Sequence, residues 1–219
     1  MSRRVAYVTA VTPVLGCVLL AALAVTQRGV FDAIVREDSV LEWGEVGSYV
    51  AVVAIGVLVA RRSHGFVRVA YALLAVGAFA AVGEELSWGQ RLFGVQTPEA
   101  LATANRQHEL NFHNLSDVES AMRLVLLGAA TYGALLPLLR RPGPFVPPRA
   151  LVPAFAVVAV YFGVRLAFWP EPTYAQAKFS EWPEFCFAAA VALTALRTLS
   201  RSDAEVPLPA DAMVQSEAG

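Results

Sequence analysis

The chain has 219 residues, 57% of them hydrophobic and 16% charged, with 18 acids against 17 bases and a formal net charge of −1. Its apolar residues come in long blocks rather than short alternating runs, which excludes an ordinary soluble domain and the strands of a membrane barrel. The composition predicts an all-α polytopic membrane protein, with membrane lipid and not nucleic acid as its expected partner.

Crossing a hydrocarbon core takes roughly 20 helical residues. Stretches at 5–26, 45–60, 66–88, 118–139, 150–169 and 182–199 come near that length, so six transmembrane helices are predicted. The first has the outline of a signal peptide, with Arg3-Arg4 ahead of it and Ala22-Leu23-Ala24 near its end, and Val14-Leu15-Gly16-Cys17 looks like a lipoprotein box. The apolar run continues past Cys17 and is read as a retained span. Glu37, Asp38, Glu42 and Glu45 precede the second span. Arg61-Arg62-Ser63-His64-Gly65 joins it to the third, and so short a link predicts antiparallel neighbours.

Glu84 and Glu85 close the third span, where the helix dipole disfavours negative charge. The loop at 89–117 that follows is long enough to suggest a function. Thr97 as N-cap with Pro98 at the first helical position predicts a short interfacial helix inside it. If that helix continues, Asn105, Glu109 and His113 align at intervals of four. Ser116 and Glu119 read as a capping box for the fourth span, which gives Glu119 a structural role.

Arg140-Arg141-Pro142-Gly143-Pro144 opens a proline-rich link to the fifth span. Glu181 and Glu184 flank Pro183 at the start of the sixth, which is also ordinary helix-start chemistry. Residues 1–199 form the predicted bundle, and the small, acidic segment 200–219 reads as a disordered cytoplasmic tail. Cys17 and Cys186 fall inside spans, so no disulfide framework is expected.

Charge sets the orientation. With a cytoplasmic N-terminus, 10 of the 17 bases sit at inside ends and 14 of the 18 acids outside, as the positive-inside rule requires. Both termini are then cytoplasmic, in a multi-pass protein of the cytoplasmic (inner) membrane. Trp43, Trp88, Trp169 and Trp182 all fall at outside ends, where an aromatic belt belongs.

Acids at membrane depth need partners, so the outer polar cluster is the candidate site. On a continuous helix Glu84, Trp88 and Arg91 share a face, which would let Arg91 neutralise Glu84 while Glu85 points about 100° away. The catalytic candidates are Glu84, Glu85, Arg91, Glu109 and His113. The binding candidates are Trp88, Gln90, Asn105, Asn111, Asn114, Glu181 and Glu184. Glu109 and His113 are ordinary ligands for zinc or iron, so a divalent metal is the one cofactor these residues suggest; a hydrogen-bonded network without metal is the alternative. Nucleotide-binding glycine loops, H-E-x-x-H, G-x-S-x-G and clustered cysteines are missing.

The strings EDSVLEWGE at 37–45, EELSWGQRLFG at 84–94 and NRQHELNFHNL at 105–115 resemble those of a family of bacterial multi-pass membrane proteins. The resemblance implies a membrane protein and no particular activity. It raises Glu84, Glu85, Arg91, Asn105, Glu109, Asn111, His113 and Asn114 as site residues and lowers His108, where the family often has glycine. The pair Glu84-Glu85 is also similar to the paired glutamates of the CAAX-processing and bacteriocin-immunity membrane proteases, but those place arginine four residues after the second glutamate, where this chain has Gly89. Glu109-x-Asn111-x-His113 faintly resembles a signature of the ceramidase and progestin-receptor-like membrane hydrolases, whose paired late histidines have no counterpart here.

Three functions stay open. One is a membrane-embedded enzyme, such as a hydrolase, acting on a lipid or lipid-linked substrate at the outer surface, with Glu84 or Glu85 as base and His113 or Glu109 as acid or ligand. The second is a non-catalytic scaffold or partner subunit. The third is a transporter or a proton or cation pathway, which would want polar groups through the full thickness.

Overall fold

The computed structural model describes residues 3–105, 109–112, 115–140, 143–169 and 171–204, and of residues 91, 92, 104, 116, 117 and 202–204 the backbone alone. All regular structure among them is helical. Helical stretches long and apolar enough to cross a membrane are Arg3–Thr26, Arg28–Arg62, Gly65–Glu85, Val118–Leu139 and Arg149–Phe168, five in number among the described residues. The sixth expected span lies in a helix at Glu181–Ala204 that is not among the five. Glu181, Glu184, Arg197 and Arg201 at its ends make it less apolar than the others.

The chain begins with α1 (Arg3–Thr26) and an amphipathic helix, α2 (Arg28–Val35), that hydropathy alone does not reveal. Phe31 and Val35 of α2 are buried against Leu20 and Leu41, while Arg28 pairs with Asp32 at 2.9 Å. Ser39 then caps α3 (Val40–Arg62) by accepting the Glu42 amide, and Glu42 in return accepts the amide of Asp38 at 2.7 Å. Asp38 is left-handed at φ 58°, a conformation short polar residues tolerate. Ser63 and His64 turn the chain into α4 (Gly65–Glu85).

Three successive left-handed residues, Ser87, Trp88 and Gly89 (φ 45°, 52° and 77°), end α4 and redirect the chain into α5 (Gln90–Phe93). No helix can continue through such a run. The expected span to 88 therefore stops at Glu85, and the single helical face shared by Glu84, Trp88 and Arg91 does not exist. The interfacial helix is present as α6 (Glu99–Ala104), capped by Pro98 rather than Thr97. It ends one residue before Asn105, which is extended, so the helix that was to align Asn105 with Glu109 does not continue that far.

The remaining elements are α7 (Ser116–Leu139), α8 (Val152–Phe168), α9 (Tyr174–Lys178) and α10 (Glu181–Ala204). Leu115, not Ser116, is the N-cap of α7, so the expected capping box is not what starts it. A capping box does start α9: Thr173 accepts the Gln176 amide, and the Gln176 side chain accepts the Thr173 amide at 2.8 Å. The helix at the chain's end runs to Ala204, past the expected boundary at 199; residues 205–219 of the expected tail lie outside the described residues.

The long helices lie side by side in the order α4, α3, α10, α8, α7, with α1 against α8 and α10 and α2 bridging α1 and α3. One core joins α7, α8 and α10 through Ala130, Phe155, Val158 and Cys186; another joins α3, α4 and α10 through Val59, Tyr71 and Ala195. Trp182 locks α10 to α1. Its indole N–H donates to the Pro13 carbonyl at 2.9 Å, and its ring occupies the space above Gly16 where a Cβ would come within 2.1 Å of it. Trp182 is therefore a packing residue and not an interfacial anchor, whereas Trp43 is 55% exposed. Outward faces carry large apolar side chains, among them Tyr7, Leu15 and Val18 on α1, Leu73 and Val76 on α4, and Leu124 and Val125 on α7. A surface so apolar fits lipid and not water.

Candidate functional site

The end of the bundle that carries the acids is built around the turn after α4. Ser87 is fully buried, and its hydroxyl donates to Glu109 Oε2 at 2.5 Å. Asn111, 1% exposed, donates to Ser87 Oγ at 3.1 Å and to Glu109 Oε2 at 3.2 Å. Its own side-chain oxygen accepts from Asn105 Nδ2 at 2.7 Å. Gln90 accepts the Leu110 amide at 2.6 Å and donates to Thr97 at 2.6 Å. Glu84 is gripped by the Trp88 indole at 2.8 Å and the Phe112 amide at 2.6 Å. Buried polar groups must be paired, and these pair with one another. The left-handed turn thus presents Ser87 inward as the anchor of a folded loop.

Beneath this loop lies a cavity of about 340 Å³ lined from α3, α4, α7, α8, α9 and α10. Among the described residues nine glutamates face it: Glu37, Glu42, Glu45, Glu84, Glu85, Glu109, Glu119, Glu181 and Glu184. Three described bases, Arg123, Arg165 and Lys178, line it with them. Glu45 of α3 is 4% exposed, and Glu85 of α4 and Glu184 of α10 lie within electrostatic reach of it. Three helices thus bring one carboxylate each to the same cavity.

The bases are already engaged. Arg123 pairs with Glu119 one turn away on α7. Arg165, 7% exposed, donates to the Trp169 carbonyl and so satisfies the C-terminal end of α8, where a cation is favoured. Lys178 lies outside the long helices, 3.1 Å from Glu181. Burial, the largest single influence, pulls its ammonium down, but Glu181, Glu37 and Tyr174 together outweigh it and hold its pKa above the ordinary lysine value. Tyr161 stands at the cavity wall, its hydroxyl donating to the Gln176 carbonyl at 2.7 Å.

Of the residues predicted from sequence, Glu84, Glu85, Glu109, Asn111, Glu181 and Glu184 line this one cavity, and Asn105, Gln90 and Trp88 hold the loop above it. His113 and Asn114 lie outside the described residues, as does the side chain of Arg91. Among the described residues no group of three or more His, Cys, Asp or Glu side chains is placed to hold a metal ion; the Glu109 and His113 pair is not covered by that statement. Sequence reasoning missed Arg123, Arg165, Tyr49, Tyr161 and Lys178, and it set Glu119 aside. The available signal was the lone arginine inside the apolar stretch 152–168, since a charge at membrane depth marks a site by default.

The geometry defines an all-helical bundle with an acidic chamber at one end. No family model matches the chain, and neither the curated proteins nor the solved structures include a significant match to it.

Proposed function

We propose that the protein is an integral membrane enzyme, with α10 as a sixth span and both termini cytoplasmic, that hydrolyses a lipid or lipid-linked substrate at the outer face of the cytoplasmic membrane. The observation that carries this is the acidic chamber, into which three separate helices project Glu45, Glu85 and Glu184. Like charges within electrostatic reach of one another in a shared cavity do not all ionise freely, so such carboxylates can divide into an acid and a base at one pH. Glu84 is tied to Trp88 and Phe112, which leaves Glu85 as the base. It takes a proton from water, whose oxygen attacks the scissile centre, and Glu184 returns a proton to the leaving group.

Asn105, Glu109 and Asn111 have a structural share in the site. They satisfy one another and Ser87, so they support the chamber roof rather than the chemistry. Purified protein should release a water-soluble head from at least one amphiphile in a panel carrying ester, amide and phosphoester links. Glu85→Gln and Glu184→Gln should each lower that rate by 100-fold or more, on the order expected for an acid or base, while Glu99→Gln on exposed α6 should not. Absence of turnover across the panel, or full activity in both glutamine variants, would leave the scaffold reading.

A further inference from the structure

The link from α7 to α8 crosses the arginine-rich end of the bundle, and hydroxyls from three helices hold it there. Tyr71 on α4 donates to the Pro144 carbonyl at 2.7 Å, Thr198 Oγ1 on α10 lies 3.1 Å from the same oxygen, and Tyr132 on α7 donates to the Phe145 carbonyl at 2.9 Å. Phe145 also stacks on Tyr71 with ring centres 5.9 Å apart. Against this strap lies a second cavity, of about 300 Å³, walled by Ala70 and Leu74 of α4 and Ala129 and Gly133 of α7, with Val191 and Ala195 of α10 between them. Three described lining residues carry a hydroxyl, and each is engaged: Tyr71 and Tyr132 with the strap, Thr194 with the Ala190 carbonyl at 2.8 Å. A buried water wants two to four polar partners, so a cavity lined in this way stays dry. Left empty, it would forfeit the dispersion contacts of its lining atoms.

The strap spans the inner end, so the way in is from the side. Among the described residues α4 and α7 have no packed interface with one another. Tyr132 lines the cavity and is yet 50% exposed, which places the mouth at that gap; Leu73 on α4 and Val125, one turn before Ala129 on α7, are exposed beside it. The depth is that of hydrocarbon. Both walls belong to helices long and apolar enough to cross a membrane, and the lining begins about 9 Å from the inner end of each, six residues in from Gly65 and from Leu139 at 1.5 Å per residue. What borders the mouth at that depth is lipid chains, the one apolar filler already in place.

We infer that this cavity is a side pocket for one acyl chain of a membrane lipid, which enters between α4 and α7 from the leaflet at the arginine-rich end and fills the space that the two helices leave above α10. Its size sets how much of the chain is taken in. An apolar cavity of about 150 Å³ accepts a benzene ring, six carbons, so about 300 Å³ accepts about twelve, and the carbons next to the head stay outside. The pocket reads the chain, since its hydroxyls are turned to the strap and to α10. Nothing in this assignment depends on the chemistry proposed for the acidic chamber.

The test is photolabelling of the full chain in phosphatidylcholine vesicles doped with phosphatidylcholine that carries a diazirine at the end of one sixteen-carbon chain, with adducts mapped by mass spectrometry. Leu15 and Val18, on the outward face of α1, report contact with bulk lipid; Ala195 is 1% exposed and out of its reach. Adducts at Val191 and Ala195 should come within about threefold of those at Leu15 and Val18. The same lipid with its diazirine at the second carbon should label Val191 and Ala195 at least fivefold less. Ala129→Trp on one wall, and independently Ala70→Trp on the other, should cut the chain-end label there at least fivefold while label on α1 is unchanged, which also shows that the variant has folded. An unlabelled Val191 and Ala195 in the parent protein overturns the inference, because a protein segment or a second copy then fills the gap. Equal label from both diazirine positions, or label that persists in either folded tryptophan variant, overturns it as well.

Discussion

Asn111 is the residue whose loss should be felt most in the roof of the chamber. Replaced by alanine, it withdraws a donor shared by Ser87 Oγ and Glu109 Oε2 and an acceptor 2.7 Å from Asn105 Nδ2, all in a place where Ser87, Asn105 and Asn111 itself are at most 2% exposed. Not every partner is orphaned: Ser87 still meets Glu109, and Asn105 keeps the Asn111 main-chain carbonyl at 2.8 Å. A buried polar group left partly unsatisfied costs about 1–3 kcal/mol, and the vacated amide adds a small cavity, so about 3 kcal/mol is expected in all. For a chain of this size each kcal/mol moves Tm by about 2–4 °C, giving a fall of about 6–12 °C. Scanning fluorimetry in detergent reads this directly. Asn105→Ala combined with Asn111→Ala should cost less than the two separately, by about 1 kcal/mol, because they share a bond. An Asn111→Ala protein melting within about 2 °C of the parent would refute the idea that this network holds the loop.

Three further outcomes follow from the same structure. Gly16→Ala drives a Cβ to within 2.1 Å of the Trp182 ring, so it should destabilise by about 1–3 kcal/mol and be rescued by Trp182→Leu; an unchanged Tm would mean the indole is not held against α1. Lys178 has a raised pKa in the folded state, so its contribution is fully present below the ordinary lysine value of about 10.4 and is lost as pH rises through the folded value. Lys178→Gln should therefore lower Tm by the same amount at pH 7 and pH 9, and a gap that closes between those values would contradict the pairing with Glu181. For orientation, a cysteine at position 101 should react with an impermeant reagent from outside and one at position 64 from inside; the opposite pattern would place the chamber on the wrong side of the membrane.

Most of the helical scaffold was legible because it follows from long-range averages. Hydropathy over about 20 residues marks α1, α3, α4, α7 and α8 without reference to any neighbour. α2 escaped that average because only Phe31 and Val35 of its eight residues reach the core. The acids' common end could be read from charge, yet their meeting in one cavity depends on α10 lying between α3 and α8, which no local pattern encodes. The largest departure, the break after Glu85, comes from Ser87 and Trp88 in left-handed conformations their residue types disfavour. Ser87 bonds to Glu109, 22 residues along the chain, while Trp88 bonds locally to Glu84. A helix-period reading of 84–91 could set Trp88 beside Glu84 but had no access to Glu109.

The seating of α10 between α3 and α8 has a consequence for how the molecule is assembled. Synthesis proceeds from the N-terminus, so the α3–α4 hairpin and the α7–α8 hairpin are both made before the helix that packs against each of them. Until α10 arrives, Glu45 and Glu85 on one hairpin and Arg165 on the other have no floor between them and no counterpart in Glu184. Completion of the chamber therefore waits on α10. A nascent chain arrested at residue 178 should hold Glu45 and Glu85 open to solvent.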